Sequence, residues 1–410
     1  MAKSELIVGL DIGTTKICAV VGEPNEQGGL DIVGIGTSPS TGSRKGVVVN
    51  IEQTVQSIKK ALEEAELMAG CEIRSVYAGI AGSHIKGFNS HGVIAVKGSE
   101  VSSRDIERAL DAAKAVAIPQ DREVIHILSQ EYIVDDQRGI ADPLGMSGVR
   151  LEVKVHIVTG AVATAQNIVR SCHKSGLDVS DIVLEALASS KAVLTEEERE
   201  IGVALVDLGG GTSDIAIFAN DSIKHTGVLA LGGQNLTNDI AFGLRTPMAS
   251  AEQIKVRYGC ALADMVRADE YIEVPSVGGR DPRRVSRQVL AEICEPRMEE
   301  ILTLIDQELV RSGYKNMIGA GVVLTGGTAL IQGCQELGEQ IFDLPTRIGY
   351  PRNVDGLKDM VNSPKYATAV GLLRYGAEKE GVDHGFRIRS EGNVFNSILG
   401  RMRKWFSDIS

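Results

Sequence analysis

Two segments about half a chain apart share one pattern of apolar and polar positions. Residues 6–17 form an apolar run that ends at Asp11, a turn of Gly and Thr, and the start of a second apolar run. Residues 203–219 repeat that order, with Asp207 before a Gly-rich turn. Short apolar runs bounded by turn residues are typical of buried strands. The repeat therefore predicts two similar lobes, each of which presents a strand–turn–strand unit to a shared cleft.

Apolar spacing elsewhere predicts the remaining parts of both lobes. It favours strands for residues 31–36 and 74–81, a helix for 51–68, and a final strand, turn and helix over 321–342. A long helical pattern covers about 285–311 and contains Pro296, so a kink or two helices are expected there. Strands and helices thus alternate through both halves, which is typical of an α/β fold.

The pattern changes over residues 84–160, inside the first lobe. A helix is expected over about 102–116, where Ser102 and Asp105 have the spacing of a capping box. Residues 151–157 alternate apolar and polar positions, as a half-buried strand does. We therefore predict a small α+β subdomain inserted into the first lobe.

Composition and charge narrow the classes of protein. A chain of 410 residues suits two domains, and 43% hydrophobic with 24% charged residues is ordinary for a globular protein. The 43 basic and 54 acidic residues give a formal net charge of −11, which argues against nucleic acid as the main partner. The 6 cysteines form no CxxC pair, so reduced thiols in a cytoplasmic protein are expected. Neither a signal peptide nor a membrane-spanning run is recognisable.

Both turns carry the residue types that a nucleotide phosphate needs. Glycines allow close backbone approach, hydroxyl and ammonium groups donate hydrogen bonds, and a carboxylate at a strand end can hold Mg²⁺ through water. The turns supply Asp11, Gly13, Thr14, Thr15 and Lys16 in the first lobe, and Asp207, Gly209, Gly210, Gly211, Thr212 and Asp214 in the second. Either turn alone is equally consistent with a structural hairpin, whereas two matched copies favour a phosphate site. The sequence contains no GxxxxGK-Ser/Thr motif, which excludes a P-loop protein.

A third segment, residues 322–330, ends an apolar strand at Gly326 and Gly327 and continues into a predicted helix. Paired glycines let a flat base or ribose lie against the backbone. Taken alone, this segment is equally consistent with a structural turn.

Two such turns followed by a Thr-Gly-Gly-Thr segment, in this order, resemble the superfamily of actin, sugar kinases and ATPase chaperones. Within that superfamily the chain resembles the FtsA family of bacterial division proteins. The matching segments span nearly the whole chain and are the turn after Asp207 and residues 8–16, 65–69, 130–132, 187–190, 254–262, 274–280, 325–327 and 368–373. The resemblance implies an α/β, actin-like, two-lobed fold with duplicated ribonuclease-H-like subdomains, an inserted small α+β subdomain and a C-terminal amphipathic helix.

The same resemblance implies a division of the chain into parts. These are a first lobe (1–83, 161–200 and 364–376), the inserted subdomain (84–160), a second-lobe core (201–226 and 313–363), a second-lobe outer subdomain (227–312), a flexible linker (377–393) and a membrane-binding helix (394–410).

The resemblance also implies ATP and Mg²⁺ as cofactors. Contacts to the β- and γ-phosphates are implied for Thr14, Thr15 and Lys16 and, opposite them, for Gly210, Gly211 and Thr212. Asp11 and Asp207 would hold hydrated Mg²⁺, and Gly233 would lie near the nucleotide. Glu252 and Lys255 would lie by the ribose and adenine, although their i, i+3 spacing by itself favours a surface salt bridge.

Glu185 is the candidate to orient a hydrolytic water, because related ATPases carry an acidic or Gln side chain near this position. The alternative is an ordinary carboxylate at a helix start. Proteins of this family are generally poor ATPases, so we expect ATP binding with at most weak hydrolysis. The nucleotide would then act as a switch that closes the two lobes.

The C-terminal residues have the pattern of a linker followed by an amphipathic helix. Residues 378–393 are charged, contain Gly and lack an apolar period. At helical spacing the following apolar side chains fall within an arc of about 120°, namely Phe395, Ile398, Leu399, Met402, Trp405, Phe406 and Ile409. Arg401 and Arg403 flank that arc, and Lys404 lies opposite it. This pattern predicts a helix that binds anionic phospholipid; a helix docked on the protein's own core would have the same period.

The resemblance implies several partners. It implies self-association into actin-like filaments on the inner face of the cell membrane at the division site. It also implies that the second lobe binds the acidic C-terminal peptide of the tubulin-like protein FtsZ and that the inserted subdomain recruits later division proteins. The basic residues of the second lobe by themselves favour a solvated face: Arg280, Arg283, Arg284 and Arg287.

Two other classes of protein share the phosphate turns. A sugar kinase needs a sugar pocket and a catalytic Asp base, for which the sequence shows no separate motif; a coupled kinase assay across common sugars distinguishes this class. A chaperone-type ATPase needs a peptide-binding domain after the nucleotide domain, and the residues after Tyr375 are too few for one.

Overall fold

Two lobes with an inserted subdomain make up the computed structural model, which describes residues 6–25 and 28–385. The chain begins with β1 (Ile7–Ile12), β2 (Lys16–Pro24), β3 (Leu30–Pro39), β4 (Ser43–Arg44), β5 (Val47–Val48), α1 (Ile51–Ala69) and β6 (Ser75–Ile80). The insertion contains β7 (Lys86–Ala95), α2 (Ser103–Lys114), β8 (Arg122–Val134), β9 (Gln137–Ile140) and β10 (Arg150–Ala161). The first lobe resumes with α3 (Val162–Lys174), β11 (Asp178–Leu184), α4 (Glu185–Val193) and the connecting α5 (Glu196–Ile201).

The second lobe follows, and the chain then returns to the first. The second lobe contains β12 (Val203–Leu208), β13 (Ser213–Ala219), β14 (Ser222–Leu229), α6 (Gly233–Gly243), α7 (Met248–Tyr258), β15 (Tyr271–Val274), β16 (Arg283–Ser286), α8 (Arg287–Arg311), β17 (Val322–Thr325), α9 (Cys334–Phe342) and β18 (Thr346–Ile348). The returning elements are β19 (Val354–Gly356), α10 (Lys358–Val361) and α11 (Ala367–Gly385).

Each lobe is built on one sheet that contains one of the predicted turns. The strand orders are β11-β6-β1-β2-β3-β19 in the first lobe and β14-β13-β12-β17-β18 in the second. In both sheets an antiparallel hairpin carries the turn, with Asp11 opposite Cys18 in one and Asp207 opposite Asp214 in the other. Every residue of β1 and of β12 is buried, as expected for central strands of a sheet covered on both faces. The predicted duplication is therefore confirmed.

The inserted subdomain is a four-stranded sheet, ordered β7-β10-β8-β9, with α2 packed against it. Val153 and Val155 on β10 share a small core with Ala109 on α2. The predicted capping box is present, because Asp105 N donates to Ser102 Oγ at 3.3 Å and Ser102 N donates to Asp105 Oδ2 at 3.1 Å. The inserted α+β subdomain that the sequence predicted is therefore confirmed.

The insertion also contacts the second lobe, which the sequence did not indicate. His156 on β10 is buried, with Nδ1 at 2.6 Å from Asn89 Oδ1 and Nε2 at 2.9 Å from Thr226 Oγ1 on β14. Gln130 Nε2 on β8 donates to the carbonyl of Ile223 at 2.7 Å. Burial lowers the pKa of His156 to about 4, so the ring is neutral at physiological pH.

Helix α8 is one element although it contains Pro296. Buried side chains on both sides of the proline, among them Cys294 and Met298, pack in the second-lobe core. Tertiary packing thus holds the helix together despite the missing N–H group.

The predicted end of the second-lobe core, residue 363, is wrong. Strand β19 pairs in parallel with β3, with Val354 opposite Leu30, and is the edge of the first-lobe sheet. Val361 of α10 is buried in the first-lobe core. A strand of 3 residues gives too short a pattern for its sheet to be read from sequence.

The predicted linker, 377–393, is wrong in its first part because α11 continues to Gly385. Ala377 packs against the first-lobe core, Glu378 pairs with Lys191, and Lys379 lies 2.7 Å from Asp181. These tertiary contacts stabilise helical residues that have no apolar period of their own. The rest of the linker and the helix predicted for 394–410 lie outside the described residues. No helix within the described ranges is long and apolar enough to span a membrane.

Candidate functional site

The two predicted turns and the third segment line one cavity of about 340 Å³ between the lobes. The predicted site residues on its wall are Asp11, Gly13, Thr14, Thr15, Lys16, Glu185, Asp207, Gly209, Gly210, Gly211, Thr212, Glu252, Lys255, Gly326 and Gly327. Gly233 is not on the wall. It is buried behind the second turn, where its N–H donates to the carbonyl of Gly209 at 3.0 Å.

Glycine is required where the two turns meet. A Cβ on Gly210 would lie 2.5 Å from Thr15 Cγ2, and a Cβ on Gly211 would lie 2.5 Å from Thr14 Oγ1. Thr14 Oγ1 also accepts a hydrogen bond from the N–H of Gly46, so the β4–β5 hairpin lies against the same end of the cavity. Backbone and hydroxyl groups of both lobes therefore surround a narrow space, an arrangement suited to an anion.

Carboxylates from both lobes share this cavity. Asp11 and Glu185 come from the first lobe, and Asp207 and Asp214 come from the second. Lys16 Nζ lies 2.9 Å from Asp11 Oδ2. Among the described side chains, Asp214 Oδ1 is one of the buried oxygens without a hydrogen-bond partner. The site thus contains more buried carboxylates than the neighbouring lysine can neutralise.

Burial and mutual repulsion disfavour the charge on these carboxylates. Burial, followed by the charge of Asp207, raises the pKa of Asp214 to about 7. Burial, followed by the charge of Asp11, raises the pKa of Glu185 well above its usual range. Burial opposes the charge of Lys16, but the attraction of Asp11 outweighs it and the pKa of Lys16 is raised. A bound cation would relieve this repulsion.

A hydrated Mg²⁺ ion fits the donors that are present. Mg²⁺ usually binds one or two carboxylates and keeps several waters. In the part of the chain that the structure describes, no group of three or more Asp, Glu, His or Cys side chains is placed to hold a metal ion directly. The unpartnered oxygen of Asp214 can accept a hydrogen bond from a water on such an ion.

Glu252 and Lys255 lie on α7 and line the same cavity. Lys255 Nζ lies 2.7 Å from Glu252 Oε2 and donates to Thr237 Oγ1 at 2.9 Å and to the carbonyl of Gly233 at 3.1 Å. The Lys255 side chain is only 8% exposed, whereas that of Glu252 is 42% exposed. The interpretation as a surface salt bridge is therefore wrong: Lys255 is a buried anchor that holds Glu252 at the cavity wall.

Thr328 and Leu330 of the predicted third segment also line the cavity, whereas sequence reasoning missed Gly46, Val256, Ser363, Pro364, Lys365 and Thr368. Lys365 lies in a short 3₁₀ turn, with Nζ 4.7 Å from the centre of the Tyr366 ring. Such a turn has no distinctive spacing. Thr368 belongs to a segment that supported the family resemblance, but its spacing gave no indication that it reaches the cavity.

Asp214→Asn should reduce the dependence of stability on pH. Burial raises the pKa of this carboxyl to about 7 in the folded state, whereas an unfolded Asp titrates near ~4. Between those values the folded state keeps a proton that the unfolded state has released, so the free energy of unfolding falls as pH rises. The urea midpoint of the variant relative to the wild type should therefore increase from about pH 5 to about pH 8 in Mg²⁺-free buffer. If the urea midpoints of the two proteins change with pH in parallel, the raised pKa of Asp214 is contradicted.

Solved structures of other proteins share the architecture of this chain. The chain resembles a structure titled "PilM-PilN type IV pilus biogenesis complex" with a TM-score of 0.64 at 16% identity, covering 90% of this chain and 98% of that one. It resembles MreB5 of Spiroplasma citri bound to ADP with a TM-score of 0.55 at 15% identity, covering 92% of this chain and 98% of that one. The chain thus has an actin-like, two-lobed fold.

Sequence relatives identify the family. The cell division protein FtsA of Pseudomonas aeruginosa is 55% identical over 407 residues, 98% of this chain and 97% of that protein. That of Escherichia coli K12 is 42% identical over 413 residues, 99% of this chain and 97% of that protein. Family models described as "Cell division protein FtsA" and "SHS2 domain inserted in FTSA" match residues 204–371 and 82–159. The chain belongs to the FtsA family of cell division proteins.

Proposed function

We propose that the cavity binds ATP with Mg²⁺ between the two lobes. The observation that carries this proposal is the close contact of Gly210 and Gly211 with Thr15 and Thr14, which brings backbone and hydroxyl donors of both lobes together. The phosphates would lie between these turns, with Lys16 balancing part of their charge. Hydrated Mg²⁺ would be held by Asp11 and Asp207. The ADP-bound state of MreB5 supports a nucleotide in this class of fold.

The adenosine would lie between α7 and the turn at Gly326 and Gly327. Glu252 is held at the wall by Lys255 and has exposed carboxylate surface for a ribose. Val256 on α7 and Leu330 after the glycine pair are apolar, exposed and part of the cavity wall. Apolar surfaces on both sides of a slot are suited to a purine ring.

Glu185 would orient the water for hydrolysis. It is the first residue of α4, and its carboxyl faces the cavity that contains Asp11 and Asp207. Burial and the charge of Asp11 raise the pKa of Glu185, and a bound cation would favour the ionised form that can act as a base. Slow hydrolysis fits a protein that uses the nucleotide chiefly as a switch.

In the cell, the protein would polymerise on the inner face of the cytoplasmic membrane and attach FtsZ to it through the FtsZ C-terminal peptide. The inserted subdomain would recruit later division proteins. Family membership supports this role, and the basic, apolar C-terminal pattern supplies a chemical basis for attachment to anionic lipid. A single helix of this size binds reversibly, whereas a row of helices on a polymer binds firmly.

A liposome assay tests this role. With ATP and Mg²⁺, the protein should carry FtsZ into the pellet with anionic vesicles. FtsZ lacking its C-terminal peptide, and full-length FtsZ mixed with vesicles alone, should stay in the supernatant. Equal sedimentation of the two FtsZ forms would contradict tethering through the peptide.

A further inference from the structure

Asp207 is held by two hydroxyl groups that the sequence did not connect with it. Ser189 Oγ donates to Asp207 Oδ2 at 2.6 Å, and Thr368 Oγ1 donates to the same oxygen at 3.1 Å. All three side chains are buried. Hydrogen bonds to a charged acceptor in such surroundings are among the stronger ones in proteins.

These hydrogen bonds cross from one lobe to the other. Asp207 is the penultimate residue of β12 in the second lobe, whereas Ser189 lies on α4 and Thr368 on α11. Helices α4 and α11 pack closely against each other, and their apolar side chains belong to a core that also contains Val203 and Leu205 of β12. Any rotation of the lobes that separates β12 from these helices must therefore break the bonds to Asp207.

The two hydroxyls also decide which oxygen of Asp207 is available. With Oδ2 occupied by two donors, Oδ1 is the oxygen that can accept from a hydrated cation. A Cβ on Gly326 would lie 2.4 Å from Oδ1, and Gly326 has φ +84°. Only glycine leaves this oxygen uncovered at the turn that lines the cavity.

We propose that Ser189 and Thr368 form a hydroxyl clamp, a pair of positioning residues that orient Asp207 toward Mg²⁺ while β12 lies against α4 and α11. This inference rests on the proposed function. Residues that orient a metal-binding carboxylate typically change metal affinity by 10- to 100-fold when they are removed. Because the clamp joins the lobes, linkage requires Mg²⁺ binding and lobe closure to strengthen each other.

A purely structural role is the competing explanation. In that case the hydroxyls hold α4 and α11 on β12, and their loss lowers stability without changing the effect of Mg²⁺ on ATP affinity. The ratio of the ATP dissociation constants in EDTA and in saturating MgCl₂ separates the two explanations. We call this ratio the magnesium enhancement; stability is followed separately by urea unfolding.

Matched variants of the full chain test the clamp. Ser189→Ala and Thr368→Val should each lower the magnesium enhancement about tenfold or more. Thr368→Ser keeps the hydroxyl and should restore the enhancement. Ser190→Ala is the control, because Ser190 is equally buried on α4 but donates only to the carbonyl of Leu187 within the helix.

The outcomes distinguish failure of the clamp from failure of the proposed function. If the wild-type protein binds no ATP in the presence of Mg²⁺, both the clamp and the proposed function are refuted. If the wild-type protein shows a magnesium enhancement and both Ser189→Ala and Thr368→Val retain it, the clamp is refuted. The proposed nucleotide site is then unaffected. Should Ser189→Ala fail to fold, Thr368→Val decides, because it nearly preserves side-chain volume.

Discussion

Gly210→Val is expected to abolish ATP binding. The second turn approaches the first so closely that a Cβ on Gly210 would lie 2.5 Å from Thr15 Cγ2 and 2.8 Å from Thr15 Oγ1. A valine must therefore displace Thr15 or separate the lobes, and overpacking of this kind costs about 1–3 kcal/mol or more. The ATP dissociation constant with Mg²⁺, measured by calorimetry, should rise roughly 100-fold or beyond detection.

Gly98→Val is the matched control for this substitution. Gly98 lies in the inserted subdomain, where the nearest atom to a new Cβ is Glu100 O at 3.9 Å. The control should bind ATP like the wild type. If Gly210→Val binds ATP with the affinity of the wild type and its urea midpoint is also unchanged, the cavity is not the nucleotide site.

Deletion of residues 392–410 should release the protein from anionic liposomes and leave ATP binding intact. The apolar side chains of the predicted helix contribute on the order of 1 kcal/mol each when partly buried in lipid, and each basic residue adds roughly 1 kcal/mol near an anionic surface. Their loss should therefore remove most of the sedimented protein. ATP affinity serves as the internal check that the lobes remain folded.

Two point variants distinguish disruption of the predicted apolar face from a general effect of added negative charge. Phe406→Glu places a carboxylate on the predicted apolar arc, whereas Ser407→Glu adds the same charge on the opposite side. Only Phe406→Glu should reduce sedimentation severely. Continued sedimentation of the truncated protein would exclude the tail as the membrane anchor; it would leave the nucleotide site unaffected.

Local spacing was sufficient for the elements that repeat. Strand, Asp, glycine turn and strand occur twice, and both copies fold into the central hairpins of their sheets. The capping box of α2 was also predicted correctly, because a capping box depends on residues within one turn of helix. Gly46 and Lys365 could not be predicted, since neither belongs to a spacing that signals phosphate or base contact.

The sequence by itself determined the two lobes, the inserted subdomain and most of the cavity wall, because each depends on short-range patterns of apolar residues, glycines and carboxylates. Only the tertiary structure decided that β19 joins the first sheet, that α11 continues through the predicted linker, and that Lys255 is buried. It also decided that Thr368 contacts Asp207 across 161 residues of chain. Contacts of this range are set by how the lobes pack, and no local spacing of residues encodes that distance.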